Sequence, residues 1–556
     1  MWKKFKGFHW ATKTLIISGS FVLLAFTANQ GDKHFEVSKN LDIFTSLYKQ
    51  INLYYVEDVD PGELMKTGID AMLESLDPYT NFIPESDVED FRFMTTGEYG
   101  GIGALIRSKD DYVVITEPYE GFPAQKAGLK AADVIKAVDG KSIKGYTTTD
   151  LSNVLKGQPG TKVTVTIERP GTVGEMDVEL TREAIQIDAV PYYGMVNEHI
   201  GYIKLNSFTD KSGKEVKDAL FELKKNDNLK GIVLDLRGNP GGLLRESIKI
   251  VNYFVDKGKD IVSTRGKISE KNKTYSALNA PIEREMPLAV LINGGSASAS
   301  EIVSGSLQDL DRAVVVGQRS FGKGLVQQPI PLSYNSQVKV TIAKYYTPSG
   351  RCIQALDYSH RNEDGEVEKV PDSLITEFKT ANGRSVFDGA GVMPDIEVEQ
   401  DNLSLLTVTL LNNNIIFDFA TSYVLTHESI ESPEKFALTE QDWLAFKAFI
   451  SDKDYHYDTK AEKELKDFQK AAEKEAYFEE INEEFKALQE KLEGTKKQDI
   501  EEHKKEIMKM ISLEIVNRYY YGKGQIRYSV QTDEEVLKAI DVLGNQDEMN
   551  SILGVQ

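Results

Sequence analysis

At 556 residues, with 40% apolar and 28% charged side chains, the chain has the composition of a soluble globular protein with ample core for three or four domains. Its formal net charge of −21 argues against nucleic acid as a partner, because phosphate contacts need clustered Lys and Arg. A single cysteine, Cys352, excludes an intramolecular disulfide and a cysteine-based zinc site, and the seven histidines show no HxxxH or HExxH spacing, so neither metal nor cofactor is implied.

Lys3, Lys4, Lys6 and Lys13 precede an apolar run from Leu15 to Ala28. Such a run is short for a spanning helix and suits the core of a signal peptide. No small-x-small pair closes it before Asn29, so residues 1–34 read either as a removed signal or as an uncleaved amino-terminal anchor. Either way the bulk is exported to the periplasmic or extracytoplasmic side, and the membrane is a partner if the segment stays. Residues 35–95 look helical: Leu41, Phe44, Leu47 and Ile51 fall at helical spacing, as do Met65, Ile69, Met72 and Leu76. Asp77-Pro78-Tyr79-Thr80 breaks the pattern. The region reads as a packing element or as the contact of a homodimer.

From 96 to 183 the period changes to short strands with turns. Gly101-Ile102-Gly103-Ala104-Leu105-Ile106 opens it, and Pro123-Ala124-Gln125-Lys126-Ala127-Gly128-Leu129 follows. Asp133 to Gly140 and Val163 to Ile167 come next. Arriving in this order, the segments resemble a PDZ domain of bacterial type. The resemblance implies that an extended peptide binds as an added strand, with its terminal carboxylate held by the N–H groups of Ile102, Gly103 and Ala104. Ala132 stands where many relatives have glycine.

Residues 184–400 alternate strand and helix patterns, which argues for an α/β core. Gly231 to Leu236 reads as a buried strand, and Arg237-Gly238-Asn239-Pro240-Gly241-Gly242 as a tight turn into a helix. A second apolar strand, Leu288 to Ile292, feeds the turn Asn293-Gly294-Gly295, a burst of small residues from Ser296 to Ser300, and a helix from Glu301 to about Leu310. A short strand, Ala313 to Gly317, then leads to Gly322-Lys323-Gly324. Strand, tight turn and serine at a helix start expose a hydroxyl among unpaired backbone N–H groups. Those groups can stabilise an oxyanion while a nearby lysine takes the serine's proton. Three serines alternate here, and chemistry alone selects none of them. Residues 355–385 read as a polar loop.

Two stretches, Gly295-Ser296-Ala297-Ser298-Ala299-Ser300-Glu301 and Ser320-Phe321-Gly322-Lys323-Gly324-Leu325-Val326-Gln327, resemble the serine and lysine motifs of the carboxyl-terminal processing peptidases, or tail-specific proteases. The likeness covers about residues 36–400. It implies an α/β multidomain protein with a crotonase/ClpP-like peptidase core, an inserted PDZ domain and helical regions at both ends. It also implies that Ser298 is the nucleophile, that Lys323, twenty-five residues on, is its base, and that Gln327 belongs with them. The Gly-Gly turn would supply an oxyanion donor from Gly241 or Gly242, with the N–H of Ala299 as the second. Protein or peptide substrates with free carboxyl ends follow from the same resemblance. Cys352 stands where that family usually has serine.

A lysine ordinarily titrates near about 10.4, so a lysine base at neutral pH needs its ammonium disfavoured by about 4 kcal/mol, within reach of burial against apolar walls. Glutamine at 327 could orient the amine without adding charge, whereas a carboxylate there would favour the ammonium. Glu301, in the first turn of the helix, reads as a stabilising carboxylate without chemistry. Two other functions compete: a PDZ scaffold with an inactive core, and an acyl-CoA enzyme of crotonase type. The intact Ser298, Lys323 and Gln327 disfavour the first, and the PDZ segment and export signal the second.

Residues 401–556 change character. Between Lys460 and Lys509, 27 of 50 residues are charged with signs mixed, while Ile481, Phe485, Leu488 and Leu492 trace a helical stripe. This reads as a long solvated helix pair, or alternatively as a coiled dimer contact.

Overall fold

The computed structural model of the protein describes residues 34–362, 366–399 and 402–555. Apart from His34, the expected signal or anchor lies outside the described residues. No helix among the described residues is long and apolar enough to cross a membrane. Packing divides the described residues into two units, those up to 82 with 338–340, and those of 83–337 with those from 341 onward.

In the first unit a helix over 34–54 is followed by a second, Pro61–Glu74. Asp60 caps the second by accepting from the Glu63 N–H at 2.9 Å, and Pro61 presets its first turn. Phe44 packs over Gly68, yet Phe35, Leu41, Leu47, Leu53 and Met72 remain exposed. The helical spacing read in the sequence is present, and its apolar stripes are largely uncovered.

In the second unit the helix Val88–Thr96 leads into a ribbon, Glu98–Gly101 against Glu183–Gln186, that joins an antiparallel domain to a larger core. Six strands form that domain's sheet, in the order Ala104–Lys109, Tyr112–Pro118, Val134–Val138, Lys162–Glu168 and Glu175–Thr181, with the short strand Lys141–Ser142 paired to Val134–Val138. Alternation along Lys162–Glu168 points Val163, Val165 and Ile167 into the domain core. Thr147 and Asp150 cap each other's backbone N–H groups and so start the helix Thr148–Leu155, which buries Leu151 and Leu155. The strand Ala104–Lys109 ends the sheet and lies beside that helix.

The core sheet runs Tyr192–Met195, Ile200–Lys204, Gly231–Asp235, Leu288–Ile292, Val314–Gly317 and Ile396–Glu397; the first pairing is antiparallel and the rest are parallel. Its central strands are apolar at nearly every position because both faces are covered. Helices Ser212–Leu223, Leu244–Asn252 and Ala299–Asp309 cover one face. The other face, with Tyr202, Val233, Leu291 and Val316, is covered by Val536, Ala539, Val542 and Leu543 of the helix Glu534–Gly544.

This packing departs from a boundary at residue 400. Helices Lys460–Lys474 and Phe478–Glu502 carry the mixed charge, but the end of the chain completes the core. Helices Ile415–Thr426, Glu440–Ile450 and Lys504–Ser529 share an apolar cluster of their own. From the helix Ile415–Thr426 Phe417 reaches the sheet of the smaller domain, packing with Val114 and Ala132.

Candidate active site

The helix Ala299–Asp309 is buried along its whole length, and its small residues Ser300, Ser304, Gly305 and Ser306 allow that close fit. Of the three alternating serines, two are spent on structure. Ser296 donates its hydroxyl to the Leu236 carbonyl at 2.9 Å, Ser300 donates to the Asn239 carbonyl at 2.9 Å, and both are fully buried. Ser298 alone is half-buried, at the end of the helix with φ 56° and ψ −109°. A non-glycine residue at positive φ persists only where its surroundings impose it.

One group imposes it. The carboxylate of Glu301, itself wholly buried, accepts from the Ser298 N–H at 2.7 Å and the Lys323 N–H at 2.9 Å through a single oxygen. Its other oxygen accepts from the Gly322 N–H at 2.7 Å and the Ser320 hydroxyl at 2.5 Å. Burial pushes Glu301 up to about 7, against the downward pull of these four donors. On the carbonyl side, the Tyr345 hydroxyl lies 3.0 Å from the Ser298 oxygen and 2.7 Å from the Lys323 oxygen. Ser298 and Lys323 are thus bracketed by the same carboxylate and the same phenol. The sequence reading gave Glu301 a helix-stabilising role; it does cap Ser298, and it also ties the lysine segment to the serine.

Gln327 lies on the strand Leu325–Pro331, where its side-chain amide donates to the Thr341 hydroxyl at 3.1 Å. Gly241 sits against Ser298: a Cβ there would lie 2.8 Å from the Ser298 Cβ and 2.9 Å from the Ala299 nitrogen, and its φ is +101°. Only glycine fits. The Gly241 N–H is already donated to the Asn239 side-chain oxygen at 2.9 Å. Gly242, which is exposed, follows it in the turn, and Ala299 stands at the helix start. Asn239, fully buried, also accepts from the Ala297 N–H at 3.0 Å and so fastens the glycine turn to the serine segment.

Asp235 anchors the other end of that turn. Burial alone would raise its carboxyl, but Lys204 and Arg237 outweigh burial and hold it well below the usual range. Burial pushes the Cys352 thiol up, away from a thiolate. His199 precedes the strand Ile200–Lys204, at the opposite end of the parallel sheet from Ser298. Among the described residues no cluster of His, Cys, Asp and Glu could hold a metal ion.

The three residues expected at the peptide carboxylate lie together where the ribbon enters the smaller domain. Ile102 is buried and its carbonyl accepts from the Ala124 N–H; Gly103, at φ +72°, accepts from Tyr119; Ala104 begins the terminal strand. Tyr345 and Asn239 went unassigned in the sequence. A buried asparagine in a Gly-Pro turn was the available signal for Asn239; Tyr345 gave none.

Residues 199–359 match Peptidase family S41, residues 114–169 match the PDZ domain, and residues 406–543 match the C-terminal helical domain of a probable PDZ-protease. A carboxy-terminal-processing protease of Bartonella bacilliformis is 39% identical over 345 residues, 62% of this chain and 79% of that protein. A probable CtpA-like serine protease of Staphylococcus aureus is 39% identical over 317 residues, 56% of this chain and 62% of that protein. The solved structure of the photosystem II D1 C-terminal processing protease is 29% identical, covering 65% of this chain and 93% of that one, with a TM-score of 0.36. The chain belongs to the carboxy-terminal-processing proteases of peptidase family S41, and is a serine-type peptidase with a PDZ domain.

Proposed function

We propose that this peptidase cuts exported proteins near their carboxyl ends, with Ser298 as nucleophile and Lys323 as base, on a core of the crotonase/ClpP-like kind. The observation that carries the reading is the common bracket of Glu301 and Tyr345 around both residues. The lysine amine takes the proton of the serine hydroxyl as the oxygen attacks the peptide carbonyl. The oxyanion faces the N–H groups of Gly242 and Ala299, at a helix start that favours negative charge. The lysine then returns the proton to the departing amine, and water releases the acyl group. Gln327, held by Thr341, orients the lysine in this scheme.

The free carboxylate of an unfolded tail docks at Ile102, Gly103 and Ala104, and the tail adds to the strand Ala104–Lys109, whose position at the sheet end leaves that edge for it. The PDZ domain works as a gate that opens when a tail binds. Residues 1–34 take the body to the periplasmic or extracytoplasmic face, as a removed signal or a retained membrane anchor, and the uncovered apolar stripes of the first unit meet a second copy in a homodimer.

Ser298→Ala and Lys323→Ala should each abolish cleavage of an unfolded protein, and Lys323→Arg should fail as well, because arginine does not deprotonate. Cleavage by Ser298→Ala with loss in Ser296→Ala or Ser300→Ala would overturn the assignment. Amidating a substrate's carboxyl end should slow its cleavage more than changing an internal residue does. Equal rates on acid and amide would remove the carboxylate-reading step.

A further inference from the structure

A cavity of about 370 Å³ opens over the sheet whose Tyr345 reaches the carbonyls of Ser298 and Lys323, within the range of ligand-sized pockets of about 300–1,000 Å³. Its floor is one face of the sheet formed by Asp260–Gly266 and Gln337–Tyr346, which pair as Thr264↔Tyr345 and Gly266↔Ala343. Paired residues share a face, so Thr264 and Ala343 stand on the face that carries Tyr345, whose hydroxyl reaches the Ser298 carbonyl. The walls come from the segments that follow each part of the reaction centre. Leu244 lies two residues beyond Gly242, and Val326 three beyond Lys323. Tyr275 and Ile342 add to the apolar surface, which Thr341, Gln328 and Asn272 interrupt.

The mouth is different in kind. Lys267 and Lys271 line it, both exposed, and no Asp or Glu is among the lining residues. Neither lysine has a carboxylate ion-pair partner among the described residues. Lys273 adds positive charge nearby, with its amine 4.6 Å from the centre of the Tyr275 ring.

We propose that this cavity receives an apolar side chain adjoining the scissile bond, and that Lys267 and Lys271 select substrates with an acidic side chain next to that residue. The proposal rests on Ser298 being the nucleophile. Two ammonium groups without internal partners at the lip of an apolar pocket favour an incoming carboxylate, and an aspartate or glutamate one or two residues from the anchored side chain supplies it.

The test is a peptide series with one constant free carboxyl end, so that docking at the PDZ domain does not vary. The pocket residue is Phe, Ala or Ser, and its neighbour is Asp or Asn. The intact enzyme should favour Phe over Ser at the pocket position, and Asp over Asn by about fivefold in kcat/KM at low salt, an advantage that shrinks at high salt. In the Lys267→Gln/Lys271→Gln double variant the Asp-to-Asn ratio should fall to near one. Ala343→Phe, which fills the floor, should reverse the order of Phe and Ala peptides, with melting curves confirming that both variants fold. An unchanged Asp-to-Asn ratio in the double variant would overturn the proposal while Ser298→Ala remains inactive. Cleavage by Ser298→Ala would instead overturn the assignment of the nucleophile.

Discussion

At the scale of single residues, Glu301 decides how Ser298 and Lys323 are held together. Four donors converge on its two oxygens, so a proton on the carboxyl has to displace one of them. Burial nonetheless pushes the group up to about 7 from its ordinary value of 4.5. A carboxyl raised on folding contributes most to stability below its unfolded value, and that contribution is lost as pH rises through the folded one. At about 1.4 kcal/mol per pH unit, the gap amounts to about 3 kcal/mol. The unfolding free energy of the protein, minus that of Glu301→Gln, should therefore fall by about 3 kcal/mol between pH 4.5 and pH 7.5. Denaturant titrations of both proteins across that range measure it, and a flat difference would show that Glu301 does not take up the proton. The same variant should lose most of its activity at every pH, since the amide cannot accept all four donors. The segments around Ser298 and Lys323 are local motifs and are legible as such in the sequence. The carboxylate that joins them lies in plain view in the serine motif, but its bonds to Ser320, Gly322 and Lys323 close over 19 to 22 residues of chain and carry no periodic signal.

At the scale of elements, the contact between the PDZ sheet and the helix Ile415–Thr426 bears on how a gate would be held. Phe417 is buried against Val114 and Ala132, and the guanidinium groups of Arg107 and Arg518 lie 4.0 and 4.1 Å from its ring centre. Lys109 adds a bond of 2.5 Å to Asp418. Ala132 occupies a left-handed conformation, φ 75°, which explains why glycine suits the position, and its methyl group is retained in the contact with Phe417. The sequence marked Ala132 as unusual without showing what it touches, since its partner lies 285 residues away. Truncating a buried phenylalanine costs about 3–5 kcal/mol, so Phe417→Ala should loosen this contact without unfolding the core. Under the gating reading the variant cleaves an amidated peptide faster than the wild type, and hydrogen exchange rises in Tyr112–Pro118. Slower cleavage of both acid and amide peptides would favour a tether instead.

At the scale of the whole molecule, composition misleads about where the core ends. Averaged over residues 401–556, charge suggests a solvated appendage, and the helices Lys460–Lys474 and Phe478–Glu502 fit that description. The average hides Val536, Ala539, Val542 and Leu543, whose helical spacing forms an apolar stripe in eight residues. A parallel sheet has two faces to cover, and the helices between its strands cover only one here. The element for the second face comes from the far end of the chain. Arg237, in the glycine turn, is paired to Asp533 at 2.9 Å and to Glu535, so the same terminal helix also fixes the start of that turn. Val536, Val542, Leu543, Met549 and Leu553 are all buried, and each contributes about 1.5–3 kcal/mol. Together that is on the order of 10 kcal/mol, comparable to the whole stability of about 5–15 kcal/mol that a domain commands. Removing residues 533–556 should therefore yield an aggregating, inactive chain rather than a peptidase short of an accessory region. Removing only residues 460–502, with a short flexible linker in their place, should leave the peptidase folded and able to cleave. Circular dichroism and cleavage of an unfolded protein by the two deletions decide the matter. A soluble, active protein lacking residues 533–556 would show that the second face of the sheet does not need its helix.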